Sequence, residues 1–228
     1  MRLTGHLAYD ETRSGKRPGI VVVHEAFGLG PHAKGRAERL AAELGYVAYA
    51  MDLFGEPIKD LDHAMQWIGK LLGDPPQLRA RVRAALDALA KHSRVDAHKL
   101  GAIGYCFGGT TALELARSGA DVKAVVAFHA GLQSTNVADA KNIRGKVLVC
   151  NGALDPLIGA DMRGTFAEEM TAGGVDWQLH LHGRAKHSFT NPDADGSGPF
   201  AYDHSADVRS WAAMAALFAE VFAETAKK

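Results

Sequence analysis

The sequence predicts an α/β fold, in which a mostly parallel, doubly wound sheet carries helices on both faces. Short apolar runs alternate with segments of helical periodicity along the whole 228-residue chain. Continuous apolar strands are typical of parallel sheets that are covered on both faces, and alternating strands and helices build that architecture. Because neither a repeat nor a linker divides the chain, residues 1–228 are predicted to form one domain.

Six strands are predicted from apolar runs that are too short for helices, and the segments between them have helical spacing. The predicted strands cover residues 20–23, 47–51, 100–103, 124–128, 147–150 and 177–181. The predicted helices cover residues 32–44, 61–72, 77–90, 107–118, 161–172 and 205–225. Ligands of such folds bind beyond the carboxyl ends of the strands, so functional residues are expected in the loops that follow them.

Composition and charge favour a small-molecule enzyme. The 26 basic and 26 acidic side chains cancel, so no global field would attract nucleic acid or an anionic membrane. Residues 1–11 lack a charged segment followed by an apolar core, and no stretch offers the roughly 18 apolar residues that span a bilayer. We therefore expect a cytoplasmic protein, monomeric or a small homo-oligomer, whose partner is a small-molecule substrate.

The turn around Cys106 carries the most chemical information. A predicted strand leads into Gly104-x-Cys106-x-Gly108, and a predicted helix follows. A strand, a sharp glycine-flanked turn and a helix form a nucleophile elbow, here with cysteine in place of serine. The amide groups at the start of that helix favour a thiolate on Cys106. The second cysteine, Cys150, lies inside an apolar strand and is interpreted as packing.

An acid and a histidine follow the cysteine in the order that a hydrolase triad requires. Asp155 lies in the loop after predicted strand 147–150, and His187 lies in the loop after the last predicted strand. The chain order nucleophile, acid, histidine is that of α/β-hydrolases. We therefore predict that Cys106 attacks, that His187 acts as the base and that Asp155 orients the histidine.

Over nearly its whole length the sequence resembles the dienelactone hydrolase family. A cysteine in the elbow distinguishes this family from most serine esterases. The resemblance rests on Val21-Val22-Val23-His24-Glu25-Ala26-Phe27-Gly28, Asp52-Leu53-Phe54, Gly104-Tyr105-Cys106-Phe107-Gly108-Gly109, Asp155 and His187-Ser188-Phe189. It implies an α/β-hydrolase that cleaves an ester or lactone, a reaction that needs neither a metal nor an organic cofactor.

The resemblance also implies roles for residues near the nucleophile. Glu25 matches a glutamate that contacts the resting thiol and moves away when substrate binds, which frees the thiolate. The backbone N–H groups of Ala26 and Phe107 would form the oxyanion hole, where each well-aimed donor is worth roughly 2.7–4 kcal/mol. The implied reaction proceeds through an acyl-enzyme on Cys106, which water activated by His187 then hydrolyses.

The sequence departs from the family where arginines would hold a substrate carboxylate. Residues 55–78 contain no arginine, and Thr190-Asn191-Pro192 follows the histidine motif. Without a guanidinium, a carboxylate-bearing lactone loses its bidentate partner. We therefore expect a less anionic ester, lactone or thioester, with Phe27, Phe54 and Trp67 as apolar walls of the pocket.

Two other functions are compatible with parts of the sequence. Gly28-x-Gly30-x-x-Ala33 between a strand and a helix, with Asp52 further on, fits a nicotinamide-binding motif. However, four residues separate the strand from Gly28, whereas a phosphate loop needs its first glycine directly after the strand. Alternatively, Cys106 could be a redox-sensing thiol on a non-catalytic protein, although an intact acid and histidine argue against this.

Two patterns that could indicate a metal site have other interpretations. Asp193 and Asp195 have calcium-loop spacing, but the position of the last ligand holds His204 rather than glutamate. A surface loop is therefore expected. His180 and His182 share one face of a predicted strand, which favours a partly exposed strand, and no metal site is predicted.

Overall fold

The computed structural model describes residues 4–224 and confirms the predicted fold class. Seven strands form one sheet in the order β1-β3-β2-β4-β5-β6-β7, in which only the β1–β3 pair is antiparallel. The strands are β1 Gly5–Ala8, β2 Arg17–Val23, β3 Val47–Met51, β4 Val95–Tyr105, β5 Ala124–Phe128, β6 Lys146–Gly152 and β7 Trp177–His182. The helices are α1 Pro31–Arg39, α2 Leu61–Leu72, α3 Pro75–Ala90, α4 Phe107–Arg117, α5 Ala160–Ala172 and α6 His204–Glu224.

The two faces of the sheet pack against different helices. Val21 and Val23 of β2 belong to a core cluster that includes residues of α2, α3, α4 and α5. Ile20 and Val22 point the other way, into a second cluster with residues of α1 and α6. Because both faces are covered, the central strands can be apolar at every position, which explains the continuous runs in the sequence.

The structure differs from the prediction at the margins of the sheet. Strand β1 was not predicted, because only Ala8 of its four residues is buried and no apolar run marks it. Strand β4 begins five residues earlier than expected, at Val95, and its first part is largely exposed. The first helix becomes a π-helical turn over Leu40–Leu44 and ends at Gly45, whose φ is 70°. Residue 225, the predicted end of the last helix, lies outside the described residues.

A buried arginine fixes the segment after β5. Arg117 of α4 is fully buried and binds both oxygens of Glu169, at 2.8 and 2.7 Å. Its guanidinium also donates to the carbonyl oxygen of Leu132 at 3.1 Å. A buried guanidinium needs all these partners, so it orders the turn that reaches the cavity described below. Within residues 4–224, no helix has the length and apolar character that crossing a membrane requires.

Candidate active site

Cys106 occupies a strained turn between β4 and α4. Its φ is 53° and its ψ is −121°, a backbone conformation that is costly for a residue with a side chain. The N–H of Cys106 donates to the carbonyl oxygen of Phe128 at 3.0 Å, and the N–H of Gly109 donates to the carbonyl oxygen of Cys106 at 3.0 Å. The side chain lines a cavity at the carboxyl end of the sheet. These are the geometric features of the predicted elbow.

Gly104 and Gly108 make this turn sterically feasible. A Cβ atom on Gly104 would overlap the carbonyl group of Gly108, and one on Gly108 would overlap the carbonyl oxygens of Val23 and His24. The obstructing atoms belong to the backbone and cannot rotate away. Both positions therefore require glycine so that the elbow can pack against β2.

His187 and Asp155 form a direct pair. His187 Nδ1 lies 2.7 Å from Asp155 Oδ2, and both side chains are buried. The other carboxylate oxygen of Asp155 accepts the N–H of Leu157 at 2.9 Å, which fixes the carboxylate plane. The backbone of His187 is also held, because its N–H donates to the carbonyl oxygen of Pro199 at 3.0 Å. This pairing orients the His187 ring.

The surroundings of His187 favour its charged form. Burial lowers the pKa of the imidazole, but the hydrogen bond with Asp155 and the interaction with Cys106 outweigh it and raise that pKa to about 10. The Nε2 atom is buried and has no well-aligned hydrogen-bond partner among residues 4–224, the Cys106 sulfur included. Such contacts are often loose before substrate binds. The geometry thus suits an imidazolium beside a sulfur nucleophile.

Ala26 and Phe107 line the same cavity as Cys106. Neither of their backbone N–H groups has a hydrogen-bond acceptor among residues 4–224. The loop that carries Ala26 is held by His24, whose Nδ1 lies 2.6 Å from the carbonyl oxygen of Glu25 and whose Nε2 accepts the N–H of Leu53 at 3.0 Å. Amides without an acceptor are the kind of donor that an oxyanion hole uses, so the role predicted for these two residues stays a prediction.

Glu25 lies at the side of the cavity, held by partners other than the thiol. Its Oε2 accepts a hydrogen bond from Asn191 at 2.8 Å and lies 3.3 Å from His32 Nδ1. Its Oε1 is buried, lies 4.0 Å from His129 Nε2 and has no hydrogen-bond partner among the described residues. Burial raises the pKa of Glu25, yet its polar neighbours, led by His32, overcome this and lower it to about 2. The carboxylate is therefore ionised, and its proposed movement remains a prediction.

His129 was not predicted from the sequence. It follows β5, is fully buried, and its Nδ1 lies 3.2 Å from the backbone nitrogen of Cys106. The signal that identified Asp155 and His187, a polar residue just after a buried strand, also applies to His129. It was overlooked because its partner is a backbone amide, which the sequence does not reveal.

The cavity has a volume of about 600 Å³ and a mainly apolar wall. Phe27 lines it and is 63% exposed, and its role as a wall for the substrate stays a prediction. Phe54 and Trp67 are not among the described residues that line the cavity. The Phe54 ring stacks on two neighbours: its centroid lies 5.8 Å from that of Trp67 and 6.2 Å from that of Phe107. An aromatic residue after a strand can point either way, and here the Phe54 ring packs against Phe107 of the elbow. The lining residues from α2 are Leu61, Met65, Ile68 and Leu72.

The charged groups around the cavity are acidic apart from His187. Glu25, Asp193 and Asp195 border it, and none of the lining residues within the described chain is lysine or arginine. Arg79, the first arginine after residues 55–78, instead pairs with Glu114 and Asp139 at 2.8 and 2.7 Å. Arg81 donates to the carbonyl oxygens of Leu53 and Phe54. The site therefore offers no guanidinium to a substrate carboxylate.

The other sequence patterns have local structural roles. Asp52 Oδ1 accepts the N–H groups of Phe54 and Gly55 at 3.1 and 3.0 Å, which closes the turn after β3. Asp195 Oδ1 similarly accepts the N–H of Ser197 at 2.8 Å. Within residues 4–224, no three His, Cys, Asp or Glu side chains are grouped as metal ligands would be. Cys150 is buried in β6, and burial raises the pKa of its thiol to about 12.

Comparison with known proteins identifies relatives of this architecture. The model of the dienelactone hydrolase family matches residues 3–222. A crystal structure of a dienelactone hydrolase-like promiscuous phosphotriesterase from metagenomic libraries is 47% identical, with a TM-score of 0.90 over 93% of this chain and 90% of the other. Another solved structure, "m3DLH", is 51% identical at the same TM-score and coverage. A curated Bradyrhizobium protein named as a probable 2-oxo-3-(5-oxofuran-2-ylidene)propanoate lactonase is 30% identical over 82% of this chain and 79% of its own length.

Proposed function

The chain belongs to the dienelactone hydrolase family, a family of hydrolases that act on ester or lactone bonds, and we propose that it does so with Cys106 as the nucleophile. In this proposal His187 moves protons and Asp155 orients it. The observation that carries the proposal is the buried His187–Asp155 pair at 2.7 Å beside the cysteine elbow. It supplies a charged imidazole where a thiolate needs a counter-ion.

The proposed reaction has two halves. The Cys106 thiolate adds to the acyl carbon, and the oxyanion that forms accepts hydrogen bonds from the Ala26 and Phe107 amides. Collapse breaks the bond to the alkoxy oxygen, which takes a proton from His187 and leaves a thioester on Cys106. His187 then accepts a proton from water as the water attacks the thioester. Release of the carboxylic acid returns the thiolate and the imidazolium.

The cavity favours an uncharged substrate with a bulky apolar part. Its volume of about 600 Å³ lies within the range of small-molecule sites and far exceeds that of a simple lactone ring. Three carboxylates border it and no guanidinium does, so a substrate carboxylate would be repelled rather than paired. We propose a neutral ester, lactone or thioester, in contrast to the anionic lactone named for the Bradyrhizobium relative.

The test compares Cys106→Ala with Cys150→Ala. A set of neutral aryl esters of increasing acyl length, neutral lactones and a carboxylate-bearing lactone would be assayed with both variants and the parent. We expect loss of turnover in Cys106→Ala, near-parental turnover in Cys150→Ala, and a thioester adduct on Cys106 visible by mass spectrometry at low temperature. Full activity in Cys106→Ala, or no hydrolysis of any ester by the parent, would contradict the proposal.

Neutral phosphotriesters are a second candidate substrate class. The 47% identical structure is named as a promiscuous phosphotriesterase, and a triester likewise carries no charge for the acidic rim to repel. Hydrolysis of a neutral dialkyl aryl phosphate that disappears in Cys106→Ala would support this activity. Equal rates in the parent and that variant would exclude the site as its source.

A further inference from the structure

We propose that His129 and Thr190 form a neutral hydrogen-bonded brace that positions the Cys106 elbow for oxyanion stabilisation. This inference rests on the proposed function of Cys106. His129 and Thr190 would be positioning residues, since they act through the backbone of the nucleophile. The brace connects three loops, those that follow β4, β5 and β7.

The hydrogen-bond partners fix the protonation of His129. A backbone N–H can only donate, so the Cys106 amide at 3.2 Å requires a lone pair on His129 Nδ1. The single ring proton of a neutral imidazole must then lie on Nε2. That atom is 2.9 Å from Thr190 Oγ1, which therefore accepts it. One tautomer satisfies both contacts, and an imidazolium would lose the contact with Cys106.

The surroundings oppose a positive charge on His129. The side chain is fully buried, and its ring centroid lies 5.2 Å from that of His187 in an edge-on arrangement. Burial, followed by repulsion from His187, lowers the pKa of His129 well below its usual value. His32 and Arg36 act in the same direction, whereas Glu25 favours the charge. Of these two adjacent rings, His129 is thus neutral and His187 is charged.

Backbone strain coincides with the brace. Within residues 4–224, three non-glycine residues have positive φ: Cys106 at 53°, His129 at 39° and Ser188 at 56°. Strained conformations persist only where the surroundings hold them. The Cys106 amide is held by His129 and by the Phe128 carbonyl oxygen, and the His129 amide donates to the Cys150 carbonyl oxygen at 2.8 Å. The brace thus contacts two of the three strained positions directly, and the third, Ser188, lies two residues before Thr190 in the chain.

The position of the brace explains its effect on the reaction. The Phe107 amide proposed for the oxyanion hole directly follows Cys106. Fixing the Cys106 amide therefore restricts the direction of the next N–H. A donor displaced by about 1 Å can cost on the order of 100-fold in rate. Reactions of the thiolate that create no oxyanion should depend much less on the brace.

Thr190→Val is the decisive variant because it keeps the shape of threonine and removes the hydroxyl. We expect its kcat for ester hydrolysis to fall about tenfold to 100-fold with little change in KM. Alkylation of Cys106 by iodoacetamide should keep its rate and pH dependence. Thr190→Ser should restore kcat to within about threefold, because it restores the acceptor.

Ser210→Ala provides the matched control. Ser210 is buried in α6, and its hydroxyl donates to the Asp207 carbonyl oxygen at 3.1 Å, so the variant also removes one buried hydroxyl. We expect it to lower Tm without selectively lowering kcat. An unchanged kcat in Thr190→Val, or parallel losses of hydrolysis and alkylation that match the loss of Tm, would overturn the brace.

Nitrogen NMR of the His129 ring tests the brace without an activity assay. We expect a neutral imidazole with its proton on Nε2 at neutral pH, and a changed Nε2 environment in Thr190→Val. A proton on Nδ1, or an imidazolium, would overturn the brace even if the enzyme were fully active. Conversely, the expected NMR result with no ester hydrolysis by the parent would contradict the proposed function alone.

Discussion

The floor and the mouth of the cavity are built in opposite ways. On the floor, Asp155, His187 and His129 are buried polar groups, and hydrogen bonds to fixed partners orient them. At the mouth, exposed apolar side chains predominate. Five of the ten large apolar residues that are exposed within residues 4–224 border this cavity, namely Phe27, Leu61, Met65, Leu157 and Phe200.

The difference follows from the backbone that carries each part. The floor lies at the carboxyl ends of strands that the whole sheet holds in register. The mouth is formed largely by α2 and by the loop over residues 191–200. This contrast teaches that the groups proposed to break the bond and those proposed to recognise the substrate can vary separately. Substitutions on the floor should change kcat, and those at the mouth should change KM.

Asp155→Asn should have the largest effect. Asparagine keeps the size of the side chain but removes the charge that helps to raise the pKa of His187 to about 10. We expect kcat to fall on the order of 10³-fold, by analogy with the acid of serine hydrolase triads, with KM nearly unchanged. Since a raised pKa keeps His187 protonated up to about pH 10, the decline of activity at high pH should begin at lower pH in the variant.

Steady-state kinetics from pH 6 to 10.5 would check this prediction. Asp161→Asn, an exposed change at the start of α5, is the matched control and should behave like the parent. A loss smaller than tenfold in Asp155→Asn would remove the distinction between floor and mouth.

Glu25 lies at the side of the cavity, between the floor and the mouth. The variant Glu25→Gln tests how much its carboxylate stabilises the fold. The pKa of Glu25 is lowered from 4.5 to about 2. A carboxyl of this kind stabilises the fold above its unfolded pKa, and the contribution is lost as the pH falls through the folded value. Between pH 4.5 and 2.5 the parent should therefore lose up to about 2.7 kcal/mol more of its free energy of unfolding than the variant, the limit for one proton over two pH units.

Urea unfolding at several pH values would measure this difference. Glu168→Gln is the control, because Glu168 is exposed on α5. This variant should show the same pH dependence of unfolding as the parent. Identical acid sensitivity of the parent and Glu25→Gln would show that the Glu25 carboxylate gains nothing from its partners.

Charge at the mouth should have the smallest effect. Butyrylcholine and 3,3-dimethylbutyl butyrate have nearly the same shape and differ by one positive charge. With Asp193 and Asp195 at the cavity, we expect KM for the cationic ester to be about threefold to tenfold lower at low salt, with similar kcat. The preference should fall as salt is added.

The double variant Asp193→Asn with Asp195→Asn should abolish that preference, whereas Asp87→Asn on the exposed side of α3 should retain it. A preference that persists in the double variant, or a change in kcat rather than KM, would contradict the assignment of recognition to the mouth.

The strands that could be predicted from the sequence are those that are buried on both faces of the sheet. Strands β2, β3, β5 and β6 show as uninterrupted apolar runs, because each strand must satisfy two cores. Strand β1 could not be recognised, since it lies at an edge and buries one residue of four. Its strand state depends on pairing with β3, a long-range contact that local sequence does not contain.

The same limit applies at the candidate site. Chain order was sufficient to predict that Asp155 and His187 meet, and glycine spacing was sufficient to predict the turn at Cys106. The packing of Phe54 on Phe107 and on Trp67 could not be predicted, because sequence position fixes which segment carries a ring but not which neighbours it packs against. His129 escaped prediction because its partners are a backbone amide and a threonine 61 residues away.

The glycines at positions 104 and 108 have a consequence for the evolvability of this enzyme. Since backbone atoms occupy the space where a Cβ would lie at either position, almost any substitution there should abolish folding of the elbow, whatever substrate is under selection. The α2 side chains at the cavity meet no such restriction. A library that diversifies Leu61, Met65 and Ile68 while leaving the glycine pair intact should therefore yield many folded enzymes with new substrate ranges.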